Sequence, residues 1–122
     1  MDLVAITPKY YEFVRALRTD PRTQSGFIQE ISISHEDQIR YMKEYSKNYY
    51  VCLLHEQPAG YVGVIDEDIR ICTHPNFQRK GVGFFMLSEV KKLYPLATGR
   101  IKRENTASQL LFEKCGVGYS VL

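Results

Sequence analysis

Ile69-Arg70-Ile71-Cys72-Thr73-His74-Pro75-Asn76-Phe77-Gln78-Arg79-Lys80-Gly81-Val82-Gly83 reads as a strand, a turn and the start of a helix. Asp68 to Thr73 is rich in β-branched residues, whereas from Gly81 onward Val82, Phe85, Met86, Val90 and Leu93 fall on one face of a helix. The physics of the junction points to phosphate. The first amides of a helix lack internal partners and lie at the positive end of its dipole, and glycines let an anion reach them. Arg79 and Lys80 add positive charge beside that junction. No Gly-Lys-Ser/Thr follows, which excludes a Walker A loop, and Met86 breaks G-x-G-x-x-G. Taken alone, two glycines are better explained as easing a tight strand-to-helix turn.

Upstream, Tyr49 to His55 and Ala59 to Ile65 join Asp68 to Thr73 in an antiparallel meander, with turns expected at Gln57-Pro58 and Asp66-Glu67. Val4 to Ile6 is a short strand, and Thr7-Pro8 opens a helix carrying Tyr10, Phe13 or Val14, and Leu17 that stops near Asp20-Pro21. A loop over 19–26 and the segment Phe27 to Ile33 lead to Ser34, which with Asp37 forms a capping box for a second helix striped by Ile39, Met42 and Tyr45. Downstream, the helix from Gly81 ends before Pro95, Thr98 to Lys102 is a strand, and Thr106 to Cys115 is a helix closed by Gly116. Val117 to Leu122 leaves room for one short strand. The order β-α-α-β-β-β-α-β-α-(β) predicts an α/β (α+β) fold, helices around a mixed sheet.

The chain has 122 residues, 44% of them apolar and 25% charged, which fits a single domain over 1–122 able to bury its own core without a metal. A net charge of +2 argues against nucleic acid as a partner. The longest apolar run, Tyr49 to Leu54, is too short to span a membrane. Cys52, Cys72 and Cys115 are odd in number and the first residues form no leader, so a soluble protein of the reducing cytoplasm is expected. Charge is divided unevenly. Residues 1–70 carry 8 basic and 11 acidic side chains, and residues 71–122 carry 8 basic and 3 acidic. Such a split suits an anionic ligand held by the second half and a cationic one received by the first, although chance placement explains it equally well.

Gln78-x-x-Gly81-x-Gly83, following a strand and His74-Pro75, resembles the acetyl-CoA signature Q/R-x-x-G-x-G/A of the GNAT superfamily of N-acetyltransferases. The later stretch Asn105-Thr106-Ala107-Ser108-Gln109-Leu110-Leu111-Phe112-Glu113-Lys114-Cys115-Gly116-Val117 resembles a second motif of that family, and the element order agrees from Val4 to Val117. The resemblance implies a V-shaped opening between the strands near Thr73 and Thr98 to Lys102, occupied by the pantetheine arm of acetyl-CoA. It implies that the backbone of Ile71, Cys72 and Thr73 pairs with that arm. The loop of Gln78, Arg79, Lys80, Gly81, Val82, Gly83 and Phe84 would hold the diphosphate. Asn105 would bond the arm, with Phe112 beside it.

Acetyl transfer needs a neutral amine, and an alkylamine with a pKa near ~10.4 must first lose a proton. Asp66, Glu67, Asp68, Glu30, Glu104 and His74 are the candidates, with Asp68 preferred because its strand runs into the cofactor turn, and His74 better suited to shaping that turn. By resemblance a backbone N–H at Cys72 or Thr73 would stabilise the oxyanion. The Cys72 thiol could be an acyl-accepting nucleophile, but direct transfer is what the family implies. Two departures stand out. Phe112 occupies the place of a Tyr that many relatives use to protonate the departing thiolate, leaving Tyr119 or water as substitutes. The chain also runs only briefly past Gly116, so a shortened C-terminal sheet completed by a second copy, a homodimer, is expected. The expected acceptor is a primary amine of a small molecule, an amino sugar or a polyamine, ahead of a protein N-terminus. The rival reading is a CoA-binding module without turnover.

Overall fold

The computed structural model describes residues 1–23 and 34–122. The expected segment Phe27 to Ile33 and the candidate Glu30 therefore lie outside the described residues. The order is β1 (Asp2–Ala5), α1 (Tyr11–Thr19), α2 (His35–Tyr45), β2 (Tyr49–Leu54), β3 (Gln57–Ile65), β4 (Asp68–Thr73), α3 (Val82–Leu93), β5 (Gly99–Ile101), α4 (Thr106–Cys115) and β6 (Tyr119–Val121), with short 3₁₀ turns between. It is the expected mixed α/β order.

Strands β1 to β4 form one antiparallel sheet in sequence order, while β5 and β6 pair in parallel as a separate two-stranded sheet. The sheet divides two apolar layers. Val14, Leu17, Met42, Tyr49, Val51 and Tyr61 pack beneath α1 and α2 on one face. Val62, Met86, Leu87, Val90, Ile101 and Phe112 pack with α3 and α4 on the other. The alternation within β3 accounts for both, because Tyr61 and Val62 point to opposite faces.

Local chemistry fixes the helix ends. The Ser34 hydroxyl accepts from the Asp37 backbone N–H at 3.1 Å, the capping bond read from the sequence. Gly116 ends α4 in the left-handed region (φ 69°), with its N–H on Glu113 O and that of Val117 on Phe112 O. Two expectations shift. Pro8 begins a 3₁₀ turn over Pro8–Tyr10 rather than α1 itself, with no side-chain cap from Thr7. The β2–β3 turn lies at His55 and Glu56 (φ 50° and 67°), not at Gln57-Pro58, and Pro58 enters β3 where the register shifts between Cys52 and Leu53. That irregularity accommodates a residue with no N–H for the ladder. Among the described residues no helix is long and apolar enough to cross a membrane.

Candidate active site

β4 and β5 start together and separate. They touch at one parallel bridge, Asp68 to Thr98, where the Ile69 N–H donates to Thr98 O at 2.8 Å and the Thr98 N–H to Glu67 O at 2.9 Å. Beyond it β5 turns to pair with β6. The Ile69 N–H faces β5 and that of His74 faces β3, donating to Ala59 O at 2.8 Å. Because backbone groups alternate sides along a strand, Ile71 and Thr73 present their N–H and C=O to the opening, and Cys72 turns its own toward β3. Of the two backbone N–H groups expected as oxyanion donors, those of Cys72 and Thr73, the one facing the opening is that of Thr73.

The opening continues into a cleft of about 720 Å³ whose walls include Ile71, Cys72, Thr73, Gln78, Arg79 and Gly81. Val82, Gly83, Phe84 and Asn105 also line it, so most of the residues named from the sequence meet in one place. At its head, Arg79 (φ 63°) and Gly81 (φ 79°) both take left-handed conformations. Left-handed residues in such a turn are what lets successive amides converge as an anion-binding concavity. Helix α3 begins there with no side-chain cap and no acidic residue in its first turn. Its early N–H groups, satisfied by a side chain at the starts of α2 and α4, are left for a ligand. Gly83 sits where a Cβ would come within 3.2 Å of Leu111 and 3.5 Å of the Thr73 hydroxyl, so the glycine eases the close approach of α3 to α4 and β4.

On the opposite wall Asn105 caps α4, its Oδ1 accepting from the Ser108 N–H at 3.2 Å. Asn105 lines the cleft, and its Nδ2 is a donor group by chemistry. His74 has the turn-shaping place expected of it. Its Nδ1 accepts from the Asn76 N–H at 3.0 Å, and its ring packs against Phe13 and Phe77. Bare amides, inward backbone of Ile71 and Thr73, and a carboxamide across the gap fit a diphosphate followed by an amide-bearing arm.

Several expectations are placed differently. Asp68 lies at the closed end, five residues from Thr73 along a strand rising ~3.3 Å per residue, so about 16 Å from the open mouth. Its carboxylate accepts from Arg100 Nε at 3.3 Å and Nη2 at 3.0 Å and pairs with Arg70 at 3.7 Å, and it does not line the cleft. Its place is that of a clasp between β4 and β5 rather than a base. Asp68→Asn is expected to leave the pH dependence of turnover unchanged and to lower stability by about 1 kcal/mol or less, read by a pH–rate profile and thermal unfolding. Asp66 and Glu67 form the adjoining turn. Of the acids considered, Glu104 lines the cleft.

Cys72 lines the cleft, but burial pushes its thiol up to about 12, only partly offset by the Thr23 hydroxyl. Burial thus disfavours the thiolate that a nucleophilic role would need. Tyr119 donates to Glu113 Oε1 at 2.7 Å, which raises its pKa, and it stands outside the cleft lining, as does Lys80. Phe112 is 2% exposed and packs its ring edge against Gly99 and Tyr119. It supports the β5 wall from behind rather than lining the cleft.

Sequence reasoning missed Arg22, Thr23, Ala107 and Ser108, all of which line the cleft. The spacing of Ala107, Ser108 and Leu111 marks one helical face and could have revealed that side of α4. The loop residues carried no periodic signal.

The match to known proteins follows the same geometry. A family model for the acetyltransferase (GNAT) domain matches residues 45–117. No curated protein sequence matches significantly. Among solved structures, the spermidine N-acetyltransferase of Vibrio cholerae, in complex with CoA and spermine, superposes with TM-score 0.81 at 16% identity over 94% of this chain and 79% of that one. The ribosomal-protein-alanine N-acetyltransferase of Brucella melitensis gives 0.83 at 15% identity over 95% and 83%. A domain from Methanocaldococcus jannaschii gives 0.78 at 22% identity over 94% and 86%. At these identities the likeness is one of fold. The family match covers the meander, the turn before α3, α3, β5 and α4, and with it the chain belongs to the GNAT family of acetyl-CoA-dependent N-acetyltransferases.

Proposed function

We propose that this chain acetylates a primary amine of a small molecule by direct transfer from acetyl-CoA. The observation that carries the reading is the parting of β4 from β5, with the backbone of Ile71 and Thr73 turned into the gap below the uncapped start of α3. Bound there, the cofactor would supply an acyl group activated as a thioester. Amides of Arg79 to Phe84 would hold its diphosphate, Asn105 and the Ile71 and Thr73 backbone its arm, and the Thr73 N–H the oxyanion of the tetrahedral intermediate.

Direct transfer is supported by the neutral Cys72 thiol, which offers no acyl-accepting thiolate. The ammonium first gives one proton to water, the amine nitrogen then forms a bond to the carbonyl carbon, the carbon–sulfur bond breaks, and the second N–H proton passes through water to the departing thiolate. Glu104 is the carboxylate lining the cleft among the described residues. A thiol with a pKa near ~8.5 leaves without a dedicated acid, so Phe112 in place of Tyr does not bar turnover. Cys72→Ala is expected to keep kcat within about threefold, and loss of turnover would mark a covalent route.

The excess of acidic over basic residues in 1–70 is in keeping with a cationic acceptor such as a polyamine, and we rank polyamines and amino sugars before a protein N-terminus. All three cysteines are free, in keeping with the cytoplasm, and the exposed outer side of β6 gives a second copy an edge to pair with. Acetyl-CoA consumption tests the function across spermidine, an amino-sugar nucleotide and a short peptide with a free N-terminus. Thiol release with a small amine supports the reading. Release with the peptide alone reverses the ranking, and CoA binding without release on any acceptor supports the non-catalytic module instead.

A further inference from the structure

Arg22 follows α1, on the side of the cleft contributed by the first part of the chain, and lines the cleft. Its loop is anchored. The Thr23 hydroxyl, in a residue 8% exposed, donates to Leu17 O at 2.8 Å, and the Thr23 N–H donates to Asp20 O at 3.0 Å. The Arg22 guanidinium is gripped by Asp20 through Nη2 at 2.8 Å and Nε at 3.1 Å, while the Arg22 backbone N–H donates to the same carboxylate at 2.8 Å. Those bonds hold the Asp20 carboxyl down at about 2, so the grip persists as pH falls through 3.8 and is lost only near 2.

The remaining end of the guanidinium points at the cofactor turn. Nη1 donates to Asn76 Oδ1 at 3.4 Å, two residues before Gln78. A guanidinium has five N–H donors in a planar fork, and these contacts leave some of them for another acceptor. Among the described residues the charged side chains lining the cleft are Arg22, Arg79 and Glu104, so Arg22 adds a cation to a site read as holding an anion.

Resting on the acetyl-CoA reading above, we infer that Arg22 is an additional phosphate-binding residue, held by Asp20 and Asn76 so that it closes on the diphosphate from the side opposite the α3 amides. Asp20 is then a positioning residue.

Calorimetric titration of the full chain with CoA tests this at two salt concentrations. Arg22→Gln should raise Kd about tenfold and flatten its salt dependence, because one charged contact is gone. Asp20→Asn, which keeps the arginine but loosens it, should raise Kd two- to threefold, an order-of-magnitude expectation for lost preorganisation. Lys47→Gln, removing an exposed cation outside the cleft, should leave Kd unchanged. An Arg22→Gln variant that unfolds as wild type but binds CoA like wild type, or no more weakly than Lys47→Gln, overturns the assignment. Failure of the wild-type chain to bind CoA overturns the cofactor reading itself.

Discussion

Replacing Gly81 with valine is expected to weaken CoA binding at least about 100-fold while the protein still folds. The two halves of that result have separate causes. A Cβ at Gly81 would meet nothing nearer than the Met1 methyl at 3.7 Å, so there is room for a side chain. The cost to the fold is confined to placing a β-branched residue at φ 79°, about 1–3 kcal/mol. The cost to binding is larger. Relaxation out of the left-handed region would swing the amides of Gly81 and Val82 away from their common centre, and the new side chain would stand where the diphosphate approaches. Circular dichroism with calorimetric titration separates the two. Unchanged CoA affinity in a folded variant would remove the diphosphate from this loop.

Gly99→Ala should do the reverse, damaging stability first. A Cβ there would lie 2.5 Å from Phe112 Cε2 and 2.8 Å from Cζ. Phe112 is 2% exposed and packed among Ile101, Val117 and the α3 residues, so the ring has no free direction in which to yield. Overpacking of this kind costs about 3 kcal/mol, a fall in Tm on the order of 10 °C. The strain falls on β5, which forms the wall of the opening, so cofactor affinity should drop as well. Combining Gly99→Ala with Phe112→Leu should restore part of the stability lost, since the two changes share one contact and are not additive. Thermal unfolding of the four proteins of the cycle measures the coupling, and strict additivity would show that Phe112 does not confine Gly99.

What the sequence revealed follows the range of the interactions involved. The strand, turn and helix from Ile69 to Gly83 were legible because period-two and period-3.6 patterns meet there across two glycines. The Ser34 and Gly116 caps were legible because each is a contact within three or four residues. The β2–β3 turn was misplaced because His55 and Glu56 take left-handed conformations without being glycine or asparagine, whereas Pro58 advertises a turn and instead sits at a ladder irregularity. Asp68 looked catalytic by adjacency along the chain, yet strand rise carries it far from the mouth, and Arg100, 32 residues away, fixes its role. The packing of Phe112 on Gly99 and the reach of Arg22 to Asn76 are long-range contacts with no local signature. They became visible only with the chain folded.

Backbone amide resonances on titration with CoA test the central claim most directly, because each N–H reports on its own environment. The amides of Gly81, Val82, Gly83 and Phe84 should shift most, followed by Ile71, Thr73 and the Asn105 side chain, with Asp68 little affected. Shifts centred on another face of the molecule, or none at millimolar CoA, would contradict the account.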